Sequence, residues 1–119
     1  MEEKLLERAK RFLKEAEDDI KKEFYDLAIF HLEQALQLLI KHILAKEVGY
    51  FSKTHSLRVL AEEVKKVKPD LAKFLKKNEN LLLELERAYI GSRYLPFDYS
   101  REEAVELMNF VKKVFEKWA

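Results

Sequence analysis

The stretch Tyr25–Lys46, YDLAIFHLEQALQLLIKHILAK, decides the fold of this chain. It contains no glycine and no proline, and at about 100° per residue its apolar side chains fall on one wide helical arc. Only a sector around Glu33, Gln37 and Lys41 is expected to face water. A helix with so wide an arc is packed on two sides, either at the centre of a bundle or between a bundle core and a partner subunit. The arc comprises a main face (Ala28, Leu32, Ala35, Leu36, Leu39, Ile43) and an adjacent strip (Leu27, Ala35, Leu38).

Length and composition exclude several classes of protein. The chain has 119 residues, enough for one domain over residues 1–119, and 23 Lys and Arg balance 22 Asp and Glu to a net charge of +1. This balance is not typical of a general polyanion-binding protein, so any nucleic-acid contact requires a local patch. Cysteine is absent, which excludes disulfides and thiolate sites. No export signal or run of membrane length is recognised, and we expect a cytoplasmic protein without a cofactor.

The three histidines do not predict a metal site. His31 and His42 share a helical face, but about 16 Å of helix separates them, too far for one ion. We expect structural or interface roles for both. His55 follows Thr54 at a helix start and either hydrogen-bonds within its loop or serves as a base.

The rest of the chain also predicts helices, with apolar stripes at helical spacing and short breaks that favour antiparallel neighbours. Gly49 is expected to cap the central helix, and Ser100–Glu103 forms a capping box. The asparagines at 78 and 80 leave open whether the fourth helix is broken. The predicted fold is all-α, an up-and-down bundle of four to five helices. The expected boundaries are residues 2–22, 25–48, 56–67 (capped by Thr54 or Ser56), 69–90 and 101–118.

The loop predicted between Gly91 and Tyr99, GSRYLPFDY, holds the best binding candidates. Arg93 offers a planar, two-pronged donor for phosphate, and tyrosine rings offer stacking surfaces for bases. The candidate tyrosines are Tyr89, Tyr94 and Tyr99. Alternatively, Arg93 pairs with Asp98 and only braces the loop. The chain has no glycine-rich phosphate loop and no HExxH helix.

Three segments together resemble a known family: FYDLAIFHLEQALQLLIKHIL (24–44), KTHSL (53–57) and AYIGSRYLPFDYSREEA (88–104). In order and spacing they are similar to the HEPN domain, a small helical domain of higher eukaryotes and prokaryotes linked to nucleotide binding. The resemblance covers nearly the whole chain and implies a homodimeric helical bundle. It also implies a partnership with a minimal nucleotidyltransferase in a toxin–antitoxin-like pair.

HEPN domains with an intact Arg-x(4–6)-His motif resemble metal-independent RNases. Arg93 matches the arginine, but Asp98 stands at the later position after four intervening residues, and no histidine follows His55. A neutral imidazole accepts a proton near pH 7 far better than an ordinary carboxylate. We therefore predict a non-catalytic module that binds a nucleotide or RNA through Arg93 and the three tyrosines. The alternative is an RNase in which Asp98 or His55 is the base, and a third possibility is a structural adaptor that binds no small ligand.

A surplus of apolar residues on the central and last helices favours a twofold-symmetric homodimer. The sequence does not decide which of them lies at the axis. The candidates are Leu27, Leu38, Phe110 and Val114.

Overall fold

The computed structural model describes the backbone of residues 2–94 and 98–119, and their side chains except those of Glu2 and residues 92–94. All regular structure in these residues is helical, which confirms the predicted fold class. The helices form a bundle 38 × 26 × 26 Å across. They are α1 (Glu2–Lys21), α2 (Tyr25–Val48), α3 (Leu57–Val64), α4 (Pro69–Lys77), α5 (Glu79–Tyr94) and α6 (Arg101–Trp118).

The central helix α2 is the axis of the bundle. It packs against α1, α3, α5 and α6, and the whole predicted main face is buried. Leu36 and Leu39, in the middle of this face, have no solvent-accessible surface. The main face is thus covered within one chain, as expected for a helix at the centre of a bundle, whereas Leu27 of the adjacent strip stays 44% exposed.

Local capping rules explain where these helices begin and end. Gly49 has a left-handed φ of 83°, which costs glycine little, and its N–H donates to the carbonyl of Ala45. Of the two residues proposed to cap α3, Ser56 is the cap, with its hydroxyl accepting from Val59 N–H. The capping box of α6 is present, with Ser100 and Glu103 bonding reciprocally at 2.9 and 3.1 Å.

The fourth predicted helix is two helices, so the bundle has six in the described residues instead of four to five. Asn78 ends α4, and its side chain donates to the carbonyl of Phe74. The prediction that Gly91 ends the next helix is wrong, because α5 continues to Tyr94. A glycine inside a helix costs only about 1 kcal/mol relative to alanine, and the stronger stop is Pro96, two residues beyond Tyr94.

Two of the four residues proposed for a dimer interface are already covered by their own chain. Phe110 and Val114 belong to the buried core, because the bundle packs around α6 more fully than its stripe predicts. Leu38 is partly buried against the same core. Leu27 remains 44% exposed, and Phe24, one turn before it, remains 48% exposed.

One described helix, α2, is long and apolar enough to cross a membrane, with a mean hydropathy of 1.2 over its most apolar window. The expectation that no run reaches membrane length is therefore wrong for this helix. Within the bundle, 72% of that window is buried, which is typical of a core helix.

Candidate functional site

The sector of α2 predicted to face water is buried. Glu33 is 0% exposed, and Gln37 and Lys41 are nearly as inaccessible. Their spacing of four residues places them above one another, where Gln37 Nε2 donates to Glu33 Oε2 at 3.0 Å and Lys41 Nζ donates to Gln37 Oε1 at 3.1 Å. We call these three residues the polar ladder. Each side chain is hydrogen-bonded to the next one along the ladder. These hydrogen bonds offset part of the free-energy cost of removing the polar groups from water.

Burial changes the acid–base properties of the polar ladder. It raises the pKa of Glu33 from 4.5 to about 7, although hydrogen bonds from Gln37 and Gln34 favour the carboxylate and oppose that rise. The nearby Glu86 raises the Glu33 pKa further. Burial also lowers the pKa of Lys41, against the attraction of Glu33. The ladder is therefore a buried group of titratable side chains with one member that titrates near neutral pH.

The loop between α2 and α3, residues 49–56, covers the polar ladder. His55 Nδ1 lies 3.0 Å from Gln37 Oε1, and Lys41 Nζ lies 5.6 Å from the centre of the Phe51 ring. These two contacts place the Phe51 ring against Lys41 and the edge of the His55 ring against Gln37. The sequence predicted that the three side chains of the ladder face water. Helical periodicity reports only which side chains share a face of α2, and it does not show that a loop eighteen residues later covers that face.

Glu86 of α5 fixes the end of this loop. Its Oε1 accepts from the Ser56 hydroxyl at 3.0 Å and from Arg58 N–H at 2.9 Å. Its Oε2 lies 3.3 Å from Arg58 Nε. A carboxylate at a helix N-terminus is favoured both by the free N–H groups and by the helix dipole. Glu86 thereby holds His55, the residue before Ser56, against α5.

A continuous row of aromatic rings crosses the surface beside the ladder. The centroids of Tyr89 and His55 are 5.6 Å apart at an interplanar angle of 23°, and those of Tyr89 and Phe30 are 6.2 Å apart at 8°. Phe30 is followed by His31 at 5.5 Å and His31 by Phe12 at 5.7 Å. We call these five rings the ring row. The last ring, His55, is exposed and the others are partly buried, so the row offers π surface at its His55 end.

The predicted binding residues lie in more than one part of the structure. Tyr89 lies in the ring row, and Arg93 lies one helical turn later, in the last turn of α5 and not in a loop. The side chains of Arg93 and Tyr94 are outside the described residues, so their proposed contacts, including the Arg93–Asp98 ion pair, remain predictions. Asp98 is exposed.

Tyr99 is partly buried against the core, and its surroundings differ from those of the ring row. Burial raises the pKa of its phenol, and Glu84, Glu103 and Asp26 act in the same direction against Arg87.

His31 also has a polar partner that the sequence did not indicate. Its Nδ1 lies 2.6 Å from Asp19 Oδ2, which links α1 to α2, and a carboxylate oxygen of Glu15 lies within 4.8 Å of both. The three residues have ligand types suited to a divalent ion. The short His31–Asp19 contact is fully explained as a hydrogen bond, in agreement with the structural role expected for His31.

Comparison with known proteins assigns the family. A family model described as the HEPN domain matches residues 2–119. The chain belongs to the HEPN family. No curated protein and no solved structure matches the chain significantly. Membership in the HEPN family indicates a module related to nucleotides or RNA.

Apart from the ring row, this HEPN domain has a groove between α3, α4 and α5. It encloses about 530 Å³ over an apolar floor that includes Ala61, Ala72 and Leu82. Two of its lysines, Lys65 and Lys73, have no ion-pair partner among the described residues. This groove has the charge to attract an anion but no exposed aromatic ring among its lining residues.

Chemically, the His55 end of the ring row offers two things together: a π surface for a base and an imidazole whose position is fixed by Gln37. The backbone of Arg93 follows Tyr89 by one turn of α5, and its side chain lies outside the described residues. The sequence indicated Tyr89 and Arg93 as binding residues but gave His55 no place in the binding site. Its position in the KTHSL segment was a signal, but the contact with Tyr89 depends on tertiary packing.

Proposed function

We propose that this HEPN domain is a non-catalytic module that binds a nucleotide or single-stranded RNA at the His55 end of the ring row. The observation that carries the proposal is the stacking of His55 on Tyr89, one helical turn before Arg93. Aromatic surfaces beside a cationic side chain are the usual means by which proteins bind single strands without reading many bases. Arg93 supplies the phosphate contact, and Tyr94 supplies a further stacking surface.

The absence of a catalytic role is supported by the residue at position 98. Asp98 stands where the family motif has a histidine, and it is exposed. An exposed carboxylate is a poor base toward a ribose hydroxyl at neutral pH.

The proposal extends to partners through the family resemblance. We expect the domain to be a homodimer that works with a minimal nucleotidyltransferase, as one member of a toxin–antitoxin-like pair in the cytoplasm. The test is whether the adjacent reading frame encodes such an enzyme and whether the two proteins purify together when they are expressed together.

Binding is tested by fluorescence anisotropy with a labelled single-stranded oligouridylate, and by thermal shift with a panel of nucleotides. Arg93→Ala is expected to weaken binding by roughly 1.5–3 kcal/mol, the scale of a hydrogen bond to a charged group, without changing the melting temperature. Arg101→Ala, an exposed arginine at the start of α6, is the matched control and leaves binding nearly unchanged. If Lys73→Ala weakens binding and Arg93→Ala does not, the groove is the site.

One observation favours RNase activity as a second candidate function. Because His55 Nδ1 faces the Gln37 carbonyl oxygen, the other ring nitrogen is left to accept a proton, so His55 is a better candidate base than Asp98. The test is cleavage of RNA by the purified protein in the presence of a metal chelator. Loss of cleavage in both His55→Ala and Arg93→Ala, but not in Asp98→Ala, establishes this activity and refutes the non-catalytic proposal.

A further inference from the structure

When Glu33 is ionised, the amide of Gln37 has only one orientation that satisfies both of its neighbours. At one end lies Glu33, whose two carboxylate oxygens accept from Gln34 Nε2 at 2.7 Å and Gln37 Nε2 at 3.0 Å. At the other end lies the ammonium of Lys41, which can only donate. A reversed amide would point its carbonyl at the carboxylate and its NH₂ at the ammonium. The carbonyl oxygen of Gln37 therefore faces Lys41 and, on the same side, His55.

This orientation determines where the proton of His55 lies. The contact of 3.0 Å between His55 Nδ1 and Gln37 Oε1 is a hydrogen bond only if Nδ1 carries the proton, because the carbonyl oxygen can only accept. In a neutral imidazole the other nitrogen, Nε2, is then an acceptor. Nε2 has no hydrogen-bond partner among the described residues, and the His55 side chain is exposed at the end of the ring row.

We propose that Gln37, held by Glu33 and Lys41, is a positioning residue that fixes His55 as the Nδ1–H tautomer, so that Nε2 accepts a hydrogen bond from a ribose hydroxyl of the ligand. The ribose part of this inference rests on the proposed function. A hydroxyl is the donor that every ribonucleotide carries and that a deoxyribonucleotide lacks at the 2′ position. The site is thereby assigned a preference for ribonucleotides.

The charged groups that surround the ladder lie on three helices. Lys41 lies on α2 with Glu33. Glu63 of α3 favours the charged form of Lys41 and so raises its pKa, and Glu86 of α5 raises the pKa of Glu33. Glu86 also holds the loop that carries His55. The position of the proton on His55 is thus coupled to the buried charges of Glu33 and Lys41. In other proteins, too, the hydrogen bond made by one ring nitrogen of a histidine fixes which nitrogen carries the proton.

The tautomer is measured without any ligand, by long-range ¹H–¹⁵N correlation spectra of the imidazoles at a pH at which His55 is neutral. The wild-type protein is expected to show the Nδ1–H tautomer at His55. Gln37→Leu is expected to release it to the Nε2–H form, whereas Gln34→Leu, which removes the other amide donor to Glu33, leaves it unchanged. An Nε2–H tautomer in the wild-type protein overturns the inference even if no variant folds.

The ligand preference is measured with an oligouridylate and the oligodeoxyuridylate of equal length. The wild-type protein is expected to bind the RNA about two- to tenfold more tightly, the effect of one hydrogen bond. His55→Phe, which keeps a stacking ring, and Gln37→Leu both abolish this preference. Equal binding of the two strands by the wild-type protein overturns the ribose assignment but leaves the proposed function standing. If neither strand nor any nucleotide binds, both the proposed function and the ribose assignment fail, and the spectra alone decide the role of Gln37.

Discussion

Ser56 and Glu86 are thirty residues apart in sequence, yet the hydroxyl of one donates to the carboxylate of the other at 3.0 Å. This bond joins the start of α3 to the middle of α5. It also holds the loop over the polar ladder, because His55 is the neighbour of Ser56. The position of the candidate site thus depends on a carboxylate that lies outside it.

Glu86→Ala is expected to destabilise the protein by roughly 1.5–3 kcal/mol, because it leaves the Ser56 hydroxyl and Arg58 N–H without their charged acceptor. The free energy of unfolding is measured by urea denaturation. Release of the loop also exposes the chain at Lys53, so trypsin is expected to cut there faster. Glu116→Ala on the exposed side of α6 is the control, and equal effects of the two substitutions would contradict this role of Glu86.

Glu33→Gln is expected to change how stability depends on pH. The pKa of Glu33 is about 7 in the folded protein and 4.5 in the reference state, so between these values the unfolded chain loses a proton that the folded protein keeps. The contribution of Glu33 to stability is therefore fully present below pH 4.5 and is lost as the pH rises to about 7. The free energy of unfolding falls by at most about 3 kcal/mol across this window.

The measurement is urea denaturation of the wild-type protein and Glu33→Gln at several pH values across this window. The variant, which has no proton to lose, is expected to gain stability relative to the wild-type protein as the pH rises. Glu116→Gln serves as the exposed control. Parallel profiles for the wild-type protein and Glu33→Gln would show that the carboxyl group ionises normally in the fold.

Leu39→Ala is expected to lower the free energy of unfolding by roughly 2–5 kcal/mol, since Leu39 is fully buried in the middle of α2. Chemical denaturation monitored by circular dichroism measures this loss. Val59→Ala, at a position 46% exposed on α3, is the apolar control and should cost much less. A loss below about 1 kcal/mol for Leu39→Ala would mean that the centre of the core is wrongly assigned.

The oligomeric state is tested by light scattering at micromolar concentration, where we expect a homodimer. Phe110 and Val114 are no longer candidates for its interface, and Leu27 is the most exposed of the four originally proposed residues. Leu27→Glu is expected to shift the protein to monomer, because a charge opposes burial of the patch that Leu27 forms with Phe24. Val59→Glu is the matched control on another surface. A monomeric wild-type protein would refute the prediction.

Features set by neighbouring residues were predicted well from the sequence. The buried face of α2 follows from helical spacing, and the caps at Gly49 and Ser100 follow from residues within one turn. The end of α5 was misplaced because Gly91 is a weak stop signal whose effect depends on the residues next to it.

The polar ladder shows what helical spacing alone does not determine. Glu33, Gln37 and Lys41 have the composition of an exposed face, and only the loop folded over them makes that face internal. Likewise, the sequence indicated Tyr89 and His55 separately, but thirty-four positions divide them and their stacking depends on the packing of α5 against that loop.

The contact of α2 with four other helices has a consequence for how the protein opens. An outer helix can unfold locally while α2 keeps its contacts with the other helices. Unfolding of α2, in contrast, removes its contacts with all four neighbouring helices at once. Its amide protons are therefore expected to exchange with solvent only through complete unfolding, while those of the short helices α3 and α4 exchange through smaller openings. The candidate site lies where these two kinds of opening meet. Gln37 belongs to α2, whose amide protons exchange slowly, and His55 belongs to the loop that can open first.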